Sequence, residues 1–176
     1  RSGPTKLNAA HIRHLARLGF MKSYTNVVFI GTVGLGKTQL ASAIGRLACL
    51  RRQNVLFESA AAIVNNLTEA QNKGTLRTAM RRYTRPQLLI VDELGYLPVD
   101  RIGAELLFQV FGDRYEKSST IITTNRPYKD WTKTFANDAV MTSAVLDRIM
   151  HHCETVVVEG QSYRMKNRID TPGEPK

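Results

Sequence analysis

The sequence predicts an α/β fold, an open five-stranded parallel sheet with helices on both faces. Three observations predict it. Five short runs rich in β-branched and aromatic residues alternate with stretches of helical periodicity, which is the order that builds parallel sheets. The runs are continuously apolar, as strands buried on both faces must be. The 176 residues contain no internal repeat, low-complexity tract or dividing linker, so one sheet accounts for the chain.

The elements follow in order. Arg1 to Pro4 reads as the remnant of a cut N-terminal extension, and a preceding region is expected to be missing. Asn8 to Leu18 sets Ile12, Leu15 and Ala16 at helical spacing, with Gly19 as the expected stop. Val27 to Ile30 is the first strand and breaks off in glycine; from Lys37 to Leu50, Leu40, Ile44 and Leu47 share one helical face. The remaining strands are Val55–Phe57, Leu88–Val91, Thr120–Thr123 and Val156–Val158. The expected organisation is a helical lead-in over 1–24, a main domain over 25–170 and a flexible tail over 171–176.

Composition narrows the functional class. At 43% hydrophobic and 23% charged residues the chain is ordinary and globular. Its 25 Lys and Arg against 15 Asp and Glu leave a net charge of +10, which points to a polyanionic partner without choosing among nucleic acid, an anionic membrane and a merely solvated basic surface. No apolar run is long enough to span a bilayer and no signal peptide opens the chain. Cys49 and Cys153 form no CxxC pair, so a reducing cytoplasm is the expected location and no membrane is an expected partner. His151 and His152 beside Cys153 lack a second ligand cluster at zinc spacing and are read as an exposed helix end.

Between the first strand and its helix, Gly31-Thr32-Val33-Gly34-Leu35-Gly36-Lys37-Thr38 matches GxxxxGK[ST] in full. Such a loop wraps backbone N–H groups around phosphate oxygens. Gly31, Gly34 and Gly36 allow the tight turns and the close approach, and the following helix, from Lys37 through Gln39, aims its positive end at the same anion. Lys37 is expected to reach the β and γ phosphates of ATP, and the Thr38 hydroxyl to ligate Mg2+. Asp92 and Glu93 end the strand Leu88–Val91 where ligands bind in such sheets. Asp92 is expected in the Mg2+ shell and Glu93 as the base or orienting group for the attacking water. Asn125 follows Thr123-Thr124 at another strand end; its residue type suits either a phosphate or water contact or the capping of a turn before Arg126-Pro127.

The blocks GTVGLGKT, LLIVDELGYLP, IITTNRP, AVLDRIMHH and EGQSYRMK, spread over about residues 7 to 168, together resemble the IstB-like transposition helper ATPases. These are relatives of the DnaC and DnaI helicase loaders in the initiator-type AAA+ clade. The resemblance implies an AAA+ core in which Lys37, Thr38, Asp92 and Glu93 are the Walker A and Walker B residues and Asn125 is sensor 1. It also implies that Arg148 is the arginine finger reaching a neighbouring subunit's ATP, and Arg164 is sensor 2. Read alone, Arg148 would be a helix-surface salt bridge. The chain stops soon after Arg164, so no C-terminal helical lid is expected, as in the helper and loader families.

Between Ala70 and Val91 lie Lys73, Arg77, Arg81, Arg82 and Arg85 and no acidic residue. Arg77, Arg81 and Arg85 recur every fourth residue along one helical face, opposite Leu76, Ala79, Met80 and Tyr83. The resemblance implies that an extra helical element at this place faces DNA, and phosphate contacts from such a ridge would bind duplex without reading sequence. The expected protein is thus a Mg2+-dependent ATPase that assembles on double-stranded DNA as a homo-oligomer, ring or helical filament, and assists a transposase. A helicase loader is the alternative. A nucleotide-gated scaffold would not need Glu93 and Arg148, and a small-molecule kinase would need an acceptor pocket and lid for which no segment is evident.

Overall fold

The computed structural model describes residues 5–160. Strands β1 (Thr5–Lys6), β2 (Asn26–Ile30), β3 (Val55–Ser59), β4 (Leu88–Leu94), β5 (Ser119–Thr124) and β6 (Cys153–Val157) form one sheet in the order β1-β6-β2-β5-β4-β3, and every pairing is parallel. Helices α1 (Ala9–Ala16), α2 (Gly19–Lys22), α3 (Lys37–Leu50), α4 (Ala60–Asn72), α5 (Leu76–Thr84), α6 (Arg101–Arg114) and α7 (Ala139–Met150) supply the connections, with a 3-10 turn at Tyr128–Lys133.

The apolar runs are continuous because each strand feeds two cores. Val28, Leu89, Val91 and Ile122 pack with α4 to α7, Trp131 and Phe135. Their neighbours Val27, Phe29, Leu88, Ile90, Ile121 and Val156 pack on the other face with α1 to α3. Period-2 alternation thus divides the chain between two apolar layers.

The five-stranded expectation is corrected to six. The added strand, β1, pairs Thr5 with Val156 and Lys6 with Val157, and Leu7 N donates to Val157 O at 2.9 Å. Two exposed polar residues carry no apolar run, so the strand is held by backbone pairing, with Lys6 also 2.9 Å from Glu159. The expected stop at Gly19 also moves. Asn8 caps α1 by accepting from His11 N at 2.8 Å, the chain turns at Leu18 with φ of 60°, and Gly19 begins α2. Leu18 accepts the left-handed conformation because its side chain is buried with Leu15 and Phe20. The expected absence of a lid, the tail over 171–176 and Arg164 lie outside the described residues.

Candidate nucleotide site

The site sits at the C-terminal ends of β2, β4 and β5, the edge where open α/β sheets bind ligands. Gly34 and Gly36 have φ of 84° and 82°, conformations that exclude ordinary side chains at little cost only for glycine. Gly31 is required for a different reason: a Cβ there would stand 2.3 Å from Val158 O. The end of the sheet closes on the loop at that point, with Val158 N donating to Ile30 O at 2.8 Å and Gly31 N to Thr124 O at 3.2 Å. Gly36 caps α3 without any side-chain hydrogen bond, so the first N–H groups of the helix stay available to an anion.

Val33 to Gln39, Glu93 and Tyr96 line a cavity of about 380 Å³. The Lys37 ammonium is buried and donates to Gly31 O and Thr32 O, both at 2.7 Å. Desolvation lowers its pKa, opposed by the charges of Asp92 and Glu93. Thr38 Oγ1 donates to the Asp92 carboxylate, 3.0 and 3.2 Å from its two oxygens. Those are hard oxygen donors converging from two elements, the kind of set that suits a Mg2+ ion with its waters.

Thr123, a residue the sequence reading assigned only to a strand, joins the two carboxylate-bearing positions. Its hydroxyl donates to Asp92 Oδ1 and accepts from Glu93 N at 2.9 Å. Beyond Asp92 the β4–β5 register shifts, and Glu93 adopts φ of 60°. That bulge turns its carboxylate out of the buried strand and into the cavity. The only hint in sequence is a hydroxyl at a strand end that also carries apolar neighbours.

Asn125 directly follows β5. Thr124 Oγ1, not Asn125, accepts from Arg126 N at 3.1 Å and caps the turn, while Asn125 Oδ1 is buried without a hydrogen-bond partner among the described residues. A buried carbonyl oxygen left in that state suits a polar ligand arriving at the strand end. Arg126 in turn donates to Gly95 O, fastening the segment after Glu93, including Tyr96, to the end of β5. Beyond Tyr96 an open groove of about 800 Å³ runs between α4 and residues 95–100 and shares Glu93 with the cavity; no pattern in the sequence announced it.

Arg148 lies at the other end of the sheet. It is on the last turn of α7, just before β6 begins, beside Asn26 and Thr120 at the starts of β2 and β5. Its guanidinium stacks on Phe108 at 4.2 Å and donates to Ala144 O at 2.8 Å. Among the described residues it makes no ion pair, contrary to the surface salt bridge that residue type alone suggests. Placed there, it is remote from the nucleotide loop of its own chain.

The basic helix forms as the spacing predicts. Met80 and Tyr83 are buried, and Arg77, Arg81 and Arg85 are exposed on α5 and its C-cap. Lys73 pairs with Glu69 and Arg82 with Glu58, so among the described residues Arg77, Arg81 and Arg85 are the ridge cations without a salt bridge. The end of α5 is held by Arg114, which the sequence reading missed. Arg114 is 2% exposed and donates to Tyr83 O at 2.8 Å, Pro86 O at 2.9 Å, Ser119 O and Thr120 Oγ1. Burial pushes its pKa down to about 10, so it remains charged at neutral pH.

Comparison with known proteins agrees with this geometry. Residues 3–171 match the IstB-like ATP binding protein family. The chain is 41% identical over 163 residues to a protein of insertion sequence IS232 from Bacillus thuringiensis subsp. berliner, covering 93% of this chain and 65% of that protein. It is 38% identical over 157 residues to a protein of insertion sequence IS21 from Pseudomonas aeruginosa, covering 89% and 59%. The chain therefore spans about two thirds or less of these relatives. Among solved structures, the fold is similar to the DnaC helicase loader, with a TM-score of 0.72 at 20% identity over 90% of this chain and 94% of that one. It is also similar to the replication initiator DnaA bound to AMPPCP and single-stranded DNA, with a TM-score of 0.73 at 22% identity over 96% and 52%. No described helix is long and apolar enough to cross a membrane.

Proposed function

Because this chain belongs to the IstB-like ATP binding protein family, we propose that it is a Mg2+-dependent ATPase that assembles on DNA and assists a transposase. The observation that carries this reading is the bonded set Thr38, Asp92, Thr123 and Glu93 N, gathered beside the glycine loop. Binding requires little more than the loop and the start of α3. Their N–H groups receive the phosphate oxygens, and Lys37 exchanges the carbonyls of Gly31 and Thr32 for the β and γ phosphates. When bound, Mg2+ neutralises charge on the terminal phosphates, and Thr38 and Asp92 are the residues that would hold it. Glu93 accepts the proton of the attacking water or orients it, and Asn125 Oδ1 accepts a hydrogen bond from that water.

Arg148 completes the site from a neighbouring copy, since its own nucleotide loop is at the far end of the sheet. A planar guanidinium suits the charge on a transferring phosphoryl group. Arg77, Arg81 and Arg85 take phosphates of duplex DNA, with Lys73 and Arg82 contributing when their glutamate partners release them. The DnaA neighbour, bound to AMPPCP and single-stranded DNA, supports the nucleotide half of the proposal by likeness of fold. The cover of 94% of the DnaC chain favours a helicase loader as the second reading.

The test is ATP turnover with and without duplex DNA, in Mg2+ and in EDTA. The proposal expects turnover that needs Mg2+ and rises with duplex. Stimulation by single strands alone would move the reading to a loader, absent turnover would remove the ATPase assignment, and turnover undiminished in EDTA would remove Mg2+ from the site.

A further inference from the structure

Two consecutive histidines leave the end of α7 before β6 starts, with Cys153 next in sequence. The fold separates them. Cys153 packs against the core beside Tyr128 and Thr155 and stands apart from the exposed imidazoles. In its place the turn after α6 brings Glu116. Its Oε1 lies 3.3 Å from His151 Nδ1 and 3.7 Å from His152 Nε2, and the three donor atoms all lie within 4.8 Å of one another. The two imidazole rings meet edge to face, with centroids 4.4 Å apart.

We propose that Glu116, His151 and His152 bind a divalent transition metal, with zinc as the ion that the donor set fits. A direct hydrogen bond between imidazole and carboxylate closes to roughly 2.7–2.9 Å when charged, and a separation of 3.7 Å is not one. Ligands arranged tetrahedrally at about 2.0–2.2 Å from zinc stand roughly 3.3–3.6 Å from one another. The His–Glu separations are close to such an edge, and all three side chains are exposed, so small rotations close the remaining gap. Two neutral imidazoles and one carboxylate are a borderline-soft donor set that favours zinc, cobalt or nickel over Mg2+. Three protein ligands leave a fourth position open to water or a group from another molecule.

The Tyr115 hydroxyl lies 3.0 Å from the same His151 Nδ1 and competes for it, which sets the affinity below that of a closed structural site. An occupied site would tie the end of α7, three residues after Arg148, to the α6–β5 turn. The site does not depend on the ATPase reading.

The experiment uses untagged protein without nucleotide, in excess Mg2+, titrated with Co2+ and then Zn2+. The expected result is one equivalent of Co2+ with the visible absorption of a tetrahedral complex, displaced by Zn2+ at micromolar concentration. Glu116→Gln and the double variant His151→Asn/His152→Asn should each weaken binding by about 10-fold or more, with melting of the metal-free protein unchanged. His11→Asn/His14→Asn should retain the wild-type equivalent: that pair also faces a glutamate, Glu154, but among the described residues only the Glu116 group brings all three donor atoms within 4.8 Å of one another. Absence of a saturable equivalent in the wild type would overturn the proposal, as would binding that persists in Glu116→Gln and the double variant or is lost in His11→Asn/His14→Asn.

Discussion

The two ends of the parallel sheet are built to different plans. At the C-terminal end the polar groups bond mainly to one another: Thr38 to Asp92, Asp92 to Thr123, Thr123 to Glu93 N. Among the described residues its cavity is lined by one cation, Lys37. At the N-terminal end two arginines line one small cavity, with no ion pair to a carboxylate among the described residues. Arg114 is buried and spends its donors on Tyr83, Pro86, Ser119 and Thr120, whereas Arg148 is half-buried, donates to Ala144 O of its own helix and lies on Phe108. The first end gathers the glycine loop, Lys37 and the two carboxylates, and its described arginine, Arg126, is engaged with Gly95 O; the second end carries Arg148 away from that loop. Under the proposed function they are halves of one site, which a head-to-tail contact between copies would join.

The largest expected effect breaks the nucleotide end directly. Lys37→Ala should abolish ATP binding measured by a fluorescent analogue, because the charge inside the glycine loop is gone. Glu93→Gln should keep that binding and lower turnover by about 10²-fold or more; equal turnover in wild type and variant would take Glu93 out of the mechanism.

Next in size is the test that the ends are complementary. Arg148→Ala should lower turnover by roughly 10³-fold at unchanged ATP affinity. Mixing it with Lys37→Ala subunits should restore part of the activity at mixed interfaces. No recovery at any ratio, with co-assembly demonstrated, would assign Arg148 to its own chain's packing on Phe108.

A third variant sharpens the contrast between the two arginines. Arg114→Met leaves the carbonyls of Tyr83, Pro86 and Ser119 without that donor, and thermal or urea unfolding should show a loss of about 2–4 kcal/mol. Arg148→Ala should cost under about 1 kcal/mol in the same measurement.

Smaller still, Thr123→Val removes one hydrogen bond to Asp92 and one from Glu93 N. Turnover should fall about 10-fold, corresponding to about 1.4 kcal/mol, and Thr123→Ser should recover most of it. The smallest effect concerns α5, whose C-terminal end Arg114 anchors. Arg77→Ala/Arg81→Ala should weaken duplex binding alike for all sequences and flatten the log affinity against log salt slope by about one unit per lost contact. An unchanged slope would make the ridge a solvated face.

The nucleotide end was legible in the chain because its parts are contiguous. The glycine loop, Lys37 and Thr38 form one segment, and Asp92 and Glu93 end one apolar strand, so local backbone geometry already orders them. The basic face of α5 was legible for a similar reason, since a repeat of four residues is itself a helical address. The sequence by itself therefore determined the sheet class, the phosphate loop, the paired carboxylates and, through the matching blocks, the family. Only the tertiary structure decided what depends on meetings between distant segments. Val158 closing on Gly31, Thr123 bridging Asp92 to Glu93, Arg114 fastening α5 to β5, and Glu116 reaching His151 all join residues whose types are common and whose spacing is unmarked. It also added β1, a strand made by backbone pairing with no apolar signal, and put Arg148 at the end away from its own loop. Periodicity records which face of an element is buried; which element lies opposite is fixed by sheet order and packing, and no local pattern carries that.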